Sequence, residues 1–220
     1  MTFSLIGHCA RTGQLGCAVT TSAMGVGARV PFAEAGLGAV LTQHRTDPRL
    51  GPRGLDLLRS GCSAEEALAA LVASTPHHRW RQIAIMDRAG RTAHFDGEAV
   101  KHARAAVHAP GCIALGNIMA NTEVPAAMAA AFAADAHEPL AERLMRAMEA
   151  GEAAGGEGRP LLSACLLVVH EQRFPYVDLR VDLAEAALPA LRILWDRYRP
   201  DMDEHVVRAV DPEAAKPPVL

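Results

Sequence analysis

Thr2-Phe3-Ser4-Leu5-Ile6-Gly7-His8 and, after Thr12-Gly13, Leu15-Gly16-Cys17-Ala18-Val19-Thr20-Thr21 are the two stretches that decide the fold of this chain. Phe3 and Leu5 alternate with Ser4, the second run is rich in strand formers, and a glycine marks the turn between them, so the chain opens with a β-hairpin. A glycine-rich crossing at Gly25-Val26-Gly27 leads to a third strand, Gly38-Ala39-Val40-Leu41-Thr42-Gln43. Residues 2 to 43 therefore read as one sheet unit.

Beyond it, Pro52 suits the first turn of a short helix closed by Gly61, and Ser63-Ala64-Glu65-Glu66 is a capping box for a second helix with Leu68, Leu71 and Val72 as its stripe. Gln82 to Asp87 and Thr92 to Phe95 read as a second hairpin turning at Arg88-Ala89-Gly90. A buried strand, Cys112-Ile113-Ala114-Leu115, ends at Gly116-Asn117, and two alanine-rich helices follow near 123 to 134 and 139 to 150. The loop Gly155-Gly156-Glu157-Gly158 precedes strands at Leu161 to Val169 and Tyr176 to Val181. A helix from Pro189 then carries Leu191, Leu194, Trp195 and Tyr198 on its apolar face. Eight strands with helices bunched between them predict an α/β (α+β) fold of sheets stacked between helical layers, with a doubly wound sheet as the alternative. Residues 1–198 form one expected domain, and 199–220 a charged tail that frays apart from one helical turn around Val206 and Val207.

Composition narrows the function classes. The 220 residues are 50% hydrophobic but only 4% aromatic, which predicts a core of Ala, Val and Leu. A net charge of −3 supplies no field to gather nucleic acid or anionic lipid, so no nucleic-acid or membrane partner is expected. The N-terminus has neither a basic region nor a long apolar run, and Cys9, Cys17, Cys62, Cys112 and Cys165 form an odd set without a C-x-x-C pair. Both features point to a reduced, cytoplasmic protein. Ten histidines show no metal-ligand spacing, and the glycine loop at 155–158 lacks the Lys-Ser/Thr and helix of a phosphate cradle; neither metal nor cofactor is expected. Asp178 and Arg180 share a strand face and suit an ion pair. The alanine-rich helices suit close packing, and a homo-oligomer is the expectation.

Thr2 is the residue best placed for chemistry. Excision of Met1 leaves an N-terminal threonine that holds a hydroxyl nucleophile beside an amine of pKa about 7.7–8.0, close enough to neutral to serve as base. Because Thr2 opens the first strand, both groups are held rigidly.

Met1-Thr2-Phe3-Ser4, Gly51-Pro52-Arg53-Gly54-Leu55, Gly116-Asn117 and Tyr176-Val177-Asp178-Leu179-Arg180-Val181-Asp182 resemble the domain of unknown function 1028 family, over residues 2 to 198. The resemblance implies a four-layer αββα sandwich similar to the N-terminal-nucleophile (Ntn) hydrolases, which include proteasome subunits and penicillin acylases. It implies Thr2 as nucleophile, Asn117 as oxyanion donor, and Ser22 and Gln43 as polar neighbours that orient the amine or the substrate. The chain departs from the family pattern where Ala23 replaces a basic residue, with Arg29 the nearest substitute. It departs again at Gly158-Arg159-Pro160-Leu161-Leu162-Ser163 and at Asp182-Leu183. On the residues alone Asn117 serves equally as a strand stop, and Ser163 as a strand serine satisfied by backbone. The expected function is hydrolysis of a small-molecule amide or small peptide C–N bond. The alternatives are a non-catalytic binding or structural protein on the same fold, or a hydrolase using cysteine or metal.

Overall fold

In the computed structural model, which describes residues 1–216, the chain forms two antiparallel sheets with helices packed on each. In chain order the elements are β1 Thr2–His8, β2 Leu15–Thr21, β3 Pro31–Glu34, β4 Gly38–Gln43, α1 Leu50–Arg59, α2 Ala64–Ser74, β5 Gln82–Asp87 and β6 Thr92–Asp96. They continue with β7 Ala105–Ala109, β8 Cys112–Asn117, α3 Val124–Ala133, α4 Leu140–Ala153, β9 Ser163–Val169, β10 Val177–Val181, α5 Ala187–Tyr198 and α6 Met202–Val210. One sheet runs β10-β9-β2-β1-β8-β7 and the other β3-β4-β5-β6.

Every strand pair is antiparallel, which overturns the doubly wound alternative: a parallel sheet needs a crossover between neighbouring strands, and here hairpins supply most of the pairings. Two strands beyond the eight expected, β3 and β7, are sheet edges. Pro31 opens the first and alanines dominate the second, so neither carries a strong strand pattern.

Three apolar clusters follow from the period-two alternation of the strands. Phe3 and Leu5 face α3, α4 and α5. Ile6, Cys17 and Val19 face Leu41, Ala84 and Met86 of the other sheet. Val40, Ile83 and Ile85 face α1 and α2. The capping box of α2 is present, Ser63 Oγ accepting from the Glu66 N–H while Glu66 accepts from the Ser63 N–H. The two glycines of the Gly51-Pro52-Arg53-Gly54-Leu55 stretch lie within α1 and have a packing reason: a Cβ at Gly51 would lie 2.1 Å from the Phe32 ring, and one at Gly54 2.9 Å from Val40.

The C-terminal elements differ from expectation in detail. Helix α5 starts at Ala187, and its buried face is Leu188, Leu191 and Trp195, with Leu194 turned outward. Trp195 donates its indole N–H to Glu142 at 2.6 Å, and Arg192 closes on the same carboxylate at 2.8 Å. In the tail, the expected single turn is the nine-residue α6, and the Tyr176 hydroxyl donates to Asp203 within it. The end of the tail, Pro217 to Leu220, lies outside the described residues. Arg180 pairs with Asp182 at 3.4 Å, just past the end of β10, and not with Asp178.

Candidate functional site

The polar end of the space between the sheets is built by register. Thr2 of β1 pairs with Asn117 of β8, Thr21 of β2 pairs with Ser163 of β9, and the Phe3–Thr20 pairing sets Thr2 opposite Thr21. Residues directly opposite in an antiparallel pair project to the same face. Ser163, Thr21, Thr2 and Asn117 thus make one polar row across four strands, at the end of a face that is otherwise apolar. The facing sheet answers with Gln43 and Gln82, also a register pair.

These groups form a buried amide network. Ser4 Oγ donates to Gln43 Oε1 at 2.8 Å, and Gln43 Nε2 donates to Gln82 Oε1 at 2.6 Å. Asn117 Nδ2 reaches the same oxygen at 3.0 Å, and Gln82 Nε2 donates to the Gly116 carbonyl at 3.0 Å. That last bond orients Gln82, so Gln82 Oε1 must face Gln43 and Asn117, and Asn117 must present its NH2 group. Asn117 Oδ1 is left buried without a partner. Most buried side-chain polar atoms are paired, so an orphaned acceptor beside Thr2 marks a place where a donor is missing.

Thr2 is only 7% exposed and lines a cavity of about 530 Å³, together with Thr21, Ser22, His44 and three arginines. Its hydroxyl donates to the Met1 carbonyl, and Thr21 Oγ1 donates to the same oxygen at 2.5 Å. Burial pushes the Met1 amine below its usual 8.0, with the Arg159 charge adding to the drop and Glu157 opposing it. Glu157 is itself buried, and its carboxylate accepts the Ser22 N–H on both oxygens at 3.0 and 3.2 Å. Burial raises the pKa of Glu157 despite those bonds. The loop that tucks it in turns at Gly155, Gly156 and Gly158, all at positive φ, a conformation glycine adopts without Cβ strain.

His44 adjoins the cavity in the left-handed region, φ 54°, as does Arg45, φ 47°. The His44 Nε2 accepts from the Lys101 N–H at 3.3 Å, which leaves Nδ1 as the donor to the Trp80 carbonyl at 2.9 Å. The ring is therefore the neutral Nδ1–H tautomer, and burial lowers its pKa, keeping it so.

Of the residues expected at the site, Thr2 and Ser22 share the cavity. Arg29 and Ala23 line it too, so the nearest replacement for the missing basic residue does adjoin the site. Asn117 stands beside Thr2 in the sheet. Gln43 lies one layer away and reaches Asn117 only through Gln82. Ser163 serves the backbone, donating to the Ala23 carbonyl at 2.6 Å and accepting from the Val26 N–H at 3.1 Å. Sequence reasoning missed Thr21, Gln82, His44, Arg45 and Glu157. The glycine run around Glu157 was the one available signal for it, since an acid inside such a loop is placed by the turns around it. Among the described residues no group of three or more His, Cys, Asp or Glu is placed to hold a metal ion. No helix among them is long and apolar enough to cross a membrane.

The family model described as "Family of unknown function (DUF1028)" matches residues 2–191. Among solved structures, the crystal structure of protein SPO2555 from Silicibacter pomeroyi, of the same family model, superposes with a TM-score of 0.86 at 31% identity. The match covers 93% of this chain and 89% of that one. No curated protein matches the chain.

Proposed function

The chain belongs to the DUF1028 family, whose function is unknown, and on that premise we propose that it is an amide hydrolase whose nucleophile is the hydroxyl of Thr2 after loss of Met1. The observation that carries this reading is the placement of Thr2: a threonine hydroxyl at the end of a central strand, nearly buried, on the wall of a cavity and beside an orphaned amide oxygen. The stacking of helices, sheet, sheet and helices read from the three apolar clusters supports the Ntn-type αββα sandwich, the frame in which such a residue acts.

Met1 blocks the chemistry in two ways. Its carbonyl occupies the hydroxyls of both Thr2 and Thr21, and its peptide bond to Thr2 consumes the amine that would act as base. Excision frees all three groups and enlarges the cavity that Met1 lines. The Thr2 amine, once freed, takes the proton from Thr2 Oγ1 as that oxygen adds to the amide carbonyl. The second N–H of Asn117 Nδ2 is free to donate to the oxyanion, and Asn117 Oδ1 accepts from the Thr2 amine. Collapse breaks the C–N bond, the leaving amine carries off the proton, and water then hydrolyses the threonyl ester by the same base. Ser22 holds its N–H on Glu157, which fixes the loop that walls the site.

The test is turnover of a panel of small amides by protein purified without Met1. Thr2→Ala is expected to abolish turnover and Thr2→Ser to retain part of it, as both groups of the nucleophile survive. Turnover unchanged in Thr2→Ala, with chelators inactive or active, excludes the reading. A binding role takes its place if Met1 is retained, since the hydroxyls then stay tied to its carbonyl.

A further inference from the structure

Arg29, Arg45 and Arg159 come from three different loops, before β3, after β4 and before β9, and all line the Thr2 cavity. No carboxylate lines it with them, in a chain whose net charge is −3. None of the three forms a salt bridge among the described residues. Glu157, two residues before Arg159, is turned inward onto the Ser22 N–H. Two of the guanidiniums are held in place by neutral groups: Arg29 donates to the Met24 carbonyl at 2.7 Å, and Arg45 lies 4.6 Å over the Trp80 ring. These contacts leave the charges of Arg29 and Arg45 without an anionic partner. All three side chains are exposed at the cavity mouth, where they present positive charge to whatever enters. An arginine fork matches the planar oxygens of a carboxylate or phosphate in a way that no neutral group does.

We infer that the cavity is built for an anionic small molecule, an amide whose carboxylate or phosphate group is held by Arg29, Arg45 and Arg159 while its C–N bond lies at Thr2. The inference rests on the hydrolase reading for the amide half of that substrate; the anion half stands on the arginines alone. The three cations also draw such a substrate to the mouth, an effect that weakens as salt screens it.

The experiment measures binding by calorimetry to the full chain, with glutarate, inorganic phosphate and the neutral isostere glutaramide as separate probes. Saturable binding of glutarate or phosphate, absent for glutaramide and weakened by added salt, is the expected result. The tighter of the two names the anion. Arg29→Ala and Arg159→Ala are each expected to weaken it about tenfold or more, the loss of one hydrogen bond to a charged group. Arg159→Gln serves as the milder variant if a truncation perturbs folding, and Arg173→Ala, on another surface, leaves binding unchanged. Anion binding without amide turnover leaves this inference standing and removes the hydrolase reading, and turnover of neutral amides without anion binding leaves only the hydrolase reading standing. Equal affinity for glutarate and glutaramide, no saturable anion binding at millimolar concentrations, or affinity indifferent to the arginine variants overturns it.

Discussion

Gln82→Met strikes the amide network that positions Asn117 without touching the cavity wall. The side chains are of similar length and volume, so packing changes little. What is lost is Gln82 Oε1, the common acceptor for Gln43 Nε2 at 2.6 Å and Asn117 Nδ2 at 3.0 Å, and with it the bond from Gln82 Nε2 to the Gly116 carbonyl, an oxygen that keeps its place in the sheet. Both donors sit on fully buried residues that water does not reach. Stranding a buried donor costs about 1–3 kcal/mol, so two cost about 4 kcal/mol together. Native stabilities run about 5–15 kcal/mol, so the variant folds but with a much reduced margin. Urea unfolding is the assay, with the loss appearing as a lower midpoint at unchanged slope. A loss under about 1 kcal/mol would refute the reasoning, because it would mean that the donors find other partners and that the network does not hold Asn117 in place.

Three further outcomes follow from the same structure. Burial alone would raise the Glu142 pKa, but the Arg192 and Trp195 hydrogen bonds and the Arg192 charge carry it below its usual 4.5. Its ionised form therefore stabilises the fold above that pH and the contribution is lost as pH falls through the depressed value, so Glu142→Gln is less stable at neutral pH and shows a shallower acid dependence in urea midpoints. Glu157 runs the other way: with its pKa raised by burial, stability is lost as pH rises from 4.5 through the folded value, and Glu157→Gln removes that loss while keeping an acceptor for the Ser22 N–H. A wild-type melting temperature that falls relative to the variant as pH rises checks this, and parallel curves contradict it. Gly51→Ala is expected to cost about 1–3 kcal/mol by chemical denaturation, since its Cβ would meet the Phe32 ring at 2.1 Å; a neutral result means that α1 shifts freely on its sheet.

Much of the fold was legible because the decisive signals are local. Alternation in Thr2–His8 and Leu15–Thr21, the capping box at Ser63 and the glycine turn at Gly90 each name an element within a few residues. Edge strands β3 and β7 escaped because an edge is half solvated and needs little apolar pattern. Of the candidate site, Thr2 could be named from the sequence because its proposed chemistry depends on sequence position. Gln82 and Thr21 enter through strand register, which sets partners 35 residues apart for Gln82 and Asn117, and no local pattern encodes it. Gln43 bonds Ser4 and Gln82, contacts across the two sheets that no local pattern encodes. His44 and Arg45 depend on two successive left-handed residues that are not glycine, a conformation the sequence does not announce. The arginines, dispersed over 131 positions from Arg29 to Arg159 if both ends are counted, read as ordinary surface charge until the loops bring them to one cavity.

The central claim stands on the removal of Met1 from Thr2, and intact mass of untagged protein, confirmed by N-terminal peptide mapping, tests it most directly. The account predicts a mass short by one methionine residue and a peptide beginning at Thr2, with its amine free. A full-length mass with Met1 retained would contradict it, because the Thr2 and Thr21 hydroxyls would remain tied to the Met1 carbonyl and the base would not exist.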